Sequence, residues 1–481
     1  MQELREVDLG EVEAAAESGG LERPSLLALL RDRDHTRGSL LVSVLVLALP
    51  SVLTMMFSFG LSQMVDLSFL GRLGAHALAA ATSSDLVLRQ GLNLFVMGMT
   101  VAAQMMIARN VGAGRLDAAE HVAGQTFLLG ACLAAVAALV GISIPHVLAR
   151  VLSPDAEVVG LATSYVRVVF VMFFAMVAGQ MFSTVLNAAG DTTTPLLISF
   201  VVTPLAIFGE WSLAFGHAGA PALGLVGLPL GSASAGLIGA AIGLGMLFSG
   251  RCRVHLRARN LVPDPAALRR LLRTAVQPSA HMLARSTMLM VFTIMAGRFG
   301  EKVQAAYGIG VRIEMLAIMF AFPIANACAT LVGQNLGARD LPRAWRAVFT
   351  SSAVSLVALL PLAAGVFLFR HPIVNFFAPD PEVAEIAAHY LVYSSIILSF
   401  YGLYFIAFRT LQSSGDMNSP MIVSIGTAFL VGAPLGYLLS HQAGLGPTGM
   451  WIANLIYALV NASLMIGWLL TGRWTHRHRS V

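Results

Sequence analysis

The chain has 481 residues, 57% of them hydrophobic and only 11% charged, with a formal net charge of +5. A soluble domain carries about 25% charged residues, so this composition excludes an ordinary water-soluble protein and makes the bilayer the expected solvent. The positive balance does not point to nucleic acid, because the basic residues sit in short loops beside long apolar runs.

Residues 1–40 form a polar tail, acidic first and then basic at Arg31, Arg33 and Arg37. It lacks a short apolar run followed by a small-residue cleavage site, so no removable leader is expected. From residue 41 onward, apolar runs of about 20 residues recur, the length that crosses a hydrocarbon core of ~30 Å as helix. SLLVSVLVLALPSVLTMMFSFGL and FTSSAVSLVALLPLAAGVFLF are two of them. The runs lack the polar/apolar alternation of a membrane β-barrel, and a helix satisfies its own backbone in lipid.

The expected spans, in chain order, are 41–65, 84–108, 120–146, 157–186, 194–216, 225–249, 273–297, 306–331, 345–369, 383–411, 419–441 and 448–471. The fold class is therefore all-α integral membrane, with twelve transmembrane helices. Expected units are the tail (1–40), a first lobe (41–249), a basic linker (250–272), a second lobe (273–471) and a short basic tail (472–481). Placing both termini on one side gathers most loop arginines there, many of them in RCRVHLRARN…ALRRLLR at 250–274. The positive-inside rule then puts both termini in the cytoplasm, with the chain in the inner (plasma) membrane.

The two halves repeat each other. LNAAGDTTTP (186–195) returns as LQSSGDMNSP (411–420), NVGAGRLDAA (110–119) as NLGARDLPRA (335–344), and SPDAEV (153–158) as APDPEV (378–383), all at an offset of 225. Tyr165 and His146 match Tyr390 and His371 at the same offset, and GRLG (71–74) matches GRFG (297–300) at 226. Each half has an even number of spans, so the halves are parallel repeats related by an axis along the membrane normal. Two such lobes leave a central cleft between them that can open to either face in turn.

Several classes lack support. Cys132, Cys252 and Cys328 have neither metal nor redox spacing and are expected as free thiols. The lone lysine, Lys302, sits in FGEKVQ, so the chain has no phosphate-binding loop of the GxxxxGK[ST] type. No metal-ligand pair, nucleophile elbow or filter repeat suggests an enzyme or channel. No cofactor, metal or nucleic-acid partner is expected, and a monomer suffices.

The stretches VDLSFLGRLGAHALAA, TVAAQMMIARNVGAG, LNAAGDTTTP and TLVGQNLGAR, in this order, resemble the multidrug and toxic compound extrusion (MATE) family, over about residues 41–471. The resemblance implies a two-lobed efflux transporter that expels amphipathic organic compounds, cations foremost, by antiport with protons or sodium ions. The alternative is a flippase of lipids or polysaccharide precursors on a related two-lobed fold. A large anionic cargo would want a cationic cleft, and Arg89, Arg167, Arg285, Arg312 and Arg409 lie in spans.

A carboxylate at the centre of a span costs roughly 2.5–3.5 kcal/mol on insertion scales, so each needs a reason. The acids in or abutting spans are Asp66, Asp85, Glu210, Glu314 and Glu385. Asp66 alone reads equally as a helix-end residue. The resemblance matches VDLSFLGRLG to the motif whose Asp carries ion coupling. Pro50, 16 residues earlier, permits a kink, so the first span can bend and move Asp66. The resemblance also matches Glu210 to an acidic position of the fifth span and Ser232 to a small hydroxyl of the same cluster, which would bring Asp66, Glu210 and Ser232 together. Where the family has an Asn, this chain has Ala206. Two carboxylates close together in low dielectric do not ionise together easily, which suits proton loading and release. The repeat places Phe292 opposite Asp66 and Leu435 opposite Glu210, so these acids belong to one lobe.

One branch of the family binds sodium through a Glu on the seventh span and an Asp on the tenth. Ser286 and Tyr401 stand at those positions here, and Arg285 beside the first repels a cation, which favours protons over sodium. Asp85 and Arg89, four apart, share a helix face and are expected to pair, with a cleft-lining role as the other reading. Arg312 and Glu314 are two apart and each is expected to face a loop or the cleft. Gln180 is a candidate for the first-lobe cavity, and Gln104 and Gln334 for bonds to backbone across helices. Asp191 and Asp416 read as turn residues. The 22 methionines read mainly as packing, with a flexible cleft lining as the second reading.

Overall fold

The computed structural model describes residues 34–84, 90–152, 156–250, 252–378 and 380–477. Among them are twelve helices long and apolar enough to cross a membrane and no strand. In chain order these are α1 (Leu40–Leu73), α2 (Gly91–Gly112), α3 (Leu116–Ser143), α4 (Val158–Ala189), α5 (Thr193–Phe215) and α6 (Gly224–Phe248). The second six are α7 (Pro265–Arg298), α8 (Glu301–Gly337), α9 (Leu341–Leu368), α10 (Pro381–Ser413), α11 (Asn418–Gln442) and α12 (Gly446–Leu470). An even number of crossings leaves both ends of the bundle at the same face.

The repeated motifs make the same turns twice. Gly190 and Gly415 adopt φ of 100° and 87°, which a side chain would strain, and each ends a helix. The aspartate that follows turns back onto the next helix. Asp191 accepts from the backbone N–H groups of Thr193 and Thr194 at 3.1 and 2.9 Å, and Asp416 from the N–H and O–H of Ser419 at 3.3 and 2.8 Å. Both aspartates are architectural, as their turn chemistry indicated.

The lobes trade ends of their first helices. Val44, Leu47 and Ala48 of α1 are buried in a core built from α8, α9 and α10. Leu271 and Ala275 of α7 lie in the core of α2, α3 and α4. The sequence boundaries at 41 and 273 divide the repeats, but packing crosses them. α1 is also the irregular helix of its lobe. Pro50 lies inside it, and Met56–Leu61 widens to a π-helical turn before the chain resumes as α-helix at Ser62. Such bulges recur where a helix must bend. In the second lobe the widened turns fall in α11, at Ala428–Gly432 and Leu438–Gln442.

The lobes meet most closely toward the terminal face. A Cβ on Gly112 would lie 1.9 Å from the Gln334 carbonyl oxygen, and one on Gly337 2.1 Å from that of Arg109. Gln334 donates to Ala188 O at 3.1 Å, Thr330 to Asn187 O at 3.0 Å, and Gln104 to Thr330 and to Asn326 O at 3.1 and 3.4 Å. Arg409 donates to Gln104, and Arg109 to Ser414 O. Gln104 and Gln334 thus reach backbone across helices, as expected. The end of the tail joins this seam. His35 is buried against Gly190 O at 3.3 Å, while Arg343 of α9 donates to the carbonyls of Arg37 and Gly38 at 2.8 and 2.9 Å.

Candidate functional site

In the first lobe, α1 and α5 run alongside each other in the same direction. Phe57 packs on Phe200 with ring centroids 4.8 Å apart, Thr203 donates to Ser58 at 3.4 Å, and Phe69 packs on Phe215 at 5.5 Å. These contacts bracket Asp66 at the depth of Glu210. Leu61 and Phe69 of α1 and Ile207 and Trp211 of α5 line an apolar groove of about 430 Å³ over the joint.

Glu210 is 2% exposed. Ser232 of α6 donates its O–H to Glu210 Oε1, and the Ser232 Oγ itself lies 3.2 Å from Leu228 O. Glycines create this contact. A Cβ on Gly231 would sit 2.2 Å from the Glu210 nitrogen, one on Gly227 2.5 Å from the Ala214 nitrogen, and one on Gly209 3.2 Å from Gly231 Cα. With no side chains there, the backbones of α5 and α6 touch, and a short serine spans the remaining gap. Asp66, half-buried on α1, lies beside the apolar cluster of Val65, Phe69, Ile207 and Trp211. Ala206, where a polar partner was expected by resemblance, is buried.

The matching places in the second lobe are packed with carbon and sulfur. Phe292 is 1% exposed and lies with Met295 against Gly436, while Met288 closes on Gly432. The second lobe nevertheless has its own buried acid, at a different place. Glu314 of α8 was expected to face a loop or the cleft. It is instead 9% exposed and accepts from Tyr390 at 2.6 Å, Ser394 at 2.8 Å and Tyr401 at 3.3 Å, all from α10. Its neighbour Arg312 is exposed. The spacing of Tyr390, Ser394 and Tyr401, four and seven apart, sets three hydroxyls on one helix face; that signal was present in the sequence. Behind them the rings of Tyr307, Tyr390 and Trp451 cluster with centroids 4.6–5.8 Å apart, Tyr307 stacked on Trp451 and Tyr390 set edge-on or tilted to both.

Arg285 of α7 stands with its guanidinium carbon 5.1 Å from the Phe405 ring centroid and 5.9 Å from that of Tyr401. Ser286 is exposed. Gln180 is half-buried and its carbonyl accepts from Thr184 at 2.7 Å. Asp85 and Arg89 lie outside the described residues. Arg409 is buried and bound to Gln104 and Gln412, so it holds the seam rather than a cargo. The three cysteines are free, and no group of three or more potential metal ligands occurs among the described residues.

Comparison with known proteins agrees with this architecture. The MatE family model matches residues 50–211 and 279–438, one segment in each half. The probable multidrug resistance protein NorM of Thermotoga maritima is 26% identical over 90% of this chain and 92% of its own length. The protein of the same description from Aromatoleum aromaticum is 28% identical over 84% and 88%. Among solved structures, a MATE in the straight conformation superposes with a TM-score of 0.85 at 21% identity, covering 95% of this chain and 99% of that one. A multidrug resistance MATE family transporter in an outward-facing conformation gives 0.83 at 20% identity, covering 96% and 100%. At these identities the structures establish the fold. The family match over both repeats establishes the rest: this chain is a multi-pass membrane protein that belongs to the MATE family of efflux transporters, and it is not an enzyme.

Proposed function

We propose that this transporter expels amphipathic organic compounds in exchange for protons, with Asp66 and Glu210 as the proton-coupling groups. The cargo binds between the lobes, and the lobes open to either face in turn. The transporter lies in the inner membrane with both termini cytoplasmic, so the seam of Gly112, Gln334 and Arg343 closes the cytoplasmic end. Acidic groups in the first lobe draw cations among the cargoes.

The observation that carries this reading is the course of α1. Its first half is anchored in the second-lobe core by Val44, Leu47 and Ala48. Its last third, which carries Asp66, packs through Phe69 on α5 of the first lobe. Between the two anchors lie Pro50 and the π-turn. A change in the charge of Asp66 therefore acts on a helix with a built-in weak point that bridges both lobes. A conformational change of this kind needs an event that favours one state over the other, and protonation of acids held in apolar surroundings supplies one. Buried and bonded to Ser232, Glu210 gives the lobe a second carboxylate for a proton to load.

The test is efflux of a cationic dye from proteoliposomes under an imposed pH gradient and, separately, an imposed sodium gradient. Dye movement that follows the pH gradient and ignores sodium supports the reading. Movement that follows only sodium overturns the choice of ion.

A further inference from the structure

Three other arginines of this bundle donate to the protein itself: Arg109 to Ser414 O, Arg343 to tail carbonyls, and Arg409 to Gln104 and Gln412. Arg285 differs. It lies well inside α7, and no hydrogen-bond acceptor or carboxylate among the described residues reaches its guanidinium. Its contacts are the faces of two rings. A guanidinium keeps its charge and offers five N–H donors in a fixed fork, and leaving such donors unmet inside a membrane protein is costly.

Arg285 also lines a cavity, with Tyr401, Tyr404, Asn454, Tyr457 and Asn461. Several polar groups there are already engaged. Tyr401 donates to Glu314, Tyr404 shares a hydrogen bond with His281 at 3.0 Å, and Asn454 donates to Tyr390 at 3.3 Å. The cavity is therefore a preformed polar chamber whose lining guanidinium meets no hydrogen-bond acceptor among the described residues, although the charge of Glu314 also acts on it. Phe400 and Leu459 give it an apolar wall.

We infer that this chamber seats the carboxylate head of an amphipathic organic acid or zwitterion, so that such compounds are among the cargoes. The inference rests on the efflux reading above and narrows its cargo. A single guanidinium matches a single negative charge, and its fork pairs with the two oxygens of a carboxylate. A phosphate dianion is disfavoured because Glu314 lies just behind Tyr401. The volume, about 60 Å³, holds a head group and not a drug-sized molecule, for which ~300–1,000 Å³ is usual. The apolar body of the cargo lies outside the chamber.

The test uses the full chain in nanodiscs and two radiolabelled probes with the same ring system, 1-naphthaleneacetate and 2-(1-naphthyl)ethanol, with empty nanodiscs subtracted. The wild type should prefer the acid by about tenfold or more, the scale of a desolvated charge-assisted pair. In Arg285→Gln the preference should fall to about one, and Arg285→Lys should lie between, because lysine keeps the charge but loses the fork. A wild-type preference near one overturns the inference even if the variants fail to fold, and so does a preference that survives in Arg285→Gln. Cationic-dye efflux by the same purified wild type, reconstituted in proteoliposomes, separates the two failures. Efflux without acid preference removes the Arg285 site alone, whereas absence of efflux removes the transport reading.

Discussion

The two lobes began as the same six helices and now hold their buried acids in opposite ways. In the first, Asp66 lies on α1, which carries a proline and a π-turn between its two anchors, and Glu210 lies on the neighbouring α5, bonded to Ser232 of α6. In the second, Phe292 and Leu435 stand at the equivalent places, in a core with Met288 and Met295, and the acid appears instead on α8, held by three hydroxyls in front of a cluster of aromatic rings. A duplicated scaffold preserves its turns, as Gly190 and Gly415 show, while its polar interior is free to diverge. The first lobe places an acid on the helix that carries a π-turn and bridges both lobes, and the second places its acid among three hydroxyls on a neighbouring helix. That contrast is why the coupling role is assigned to the first lobe and a binding role to the chamber beside Glu314.

The contrast can be broken most severely at the first-lobe acids. Asp66→Asn or Glu210→Gln should lower pH-driven dye efflux by about 100-fold, in the range of a lost general acid or base, with the variants still monodisperse in detergent. Wild-type efflux from either would shift the coupling elsewhere. Glu314→Ala should act on stability, because three buried hydroxyls lose their acceptor. The expected cost is about 1–3 kcal/mol, read as a lower thermal unfolding midpoint in detergent, and an unchanged midpoint would make the cluster incidental. Gly112→Leu should drive the lobes apart at the terminal face, since even a Cβ there meets Gln334 O. A shift of about tenfold in the open-to-closed ratio, ~1.4 kcal/mol, should appear in spin-label distances across the seam.

The smallest effect concerns the linker. Asp264 caps α7 and is held below its usual carboxylate range by its hydrogen bond to His121 and by the amides of Ala267 and Ala266. A depressed folded value means that its contribution is present above the ordinary carboxylate pKa of about 4 and is lost as pH falls through the folded value. Exchange protection of the Ala266 and Ala267 amides should therefore drop only in acid, and Asp264→Asn should remove that pH dependence.

Much of the fold was legible because lipid imposes it. Twelve apolar runs gave twelve helices, and the offset of 225 gave the two lobes. The exchange of α1 and α7 between lobes was not legible, since Val44 and Leu271 are apolar whichever core they join. In the first lobe, Ser232 reached Glu210 as the resemblance implied, and Gly209, Gly227 and Gly231 explain how. Glu314 was visible as an intramembrane acid, but its partners lie 76–87 residues away, beyond any pattern on its own helix. Arg285 stands out in the sequence as a group that repels sodium and as one of five span arginines that could line a cationic cleft; that it meets no hydrogen-bond acceptor among the described residues is a property of three-dimensional packing.

The central claim is that proton movement through the first lobe drives export. It is tested most directly by recording dye efflux and lumenal pH together in the same proteoliposomes, for the wild type and for Asp66→Asn. The wild type should move protons in fixed proportion to dye and in the opposite direction, and Asp66→Asn should move neither. Proton-coupled dye export persisting at the wild-type rate in Asp66→Asn would contradict the account.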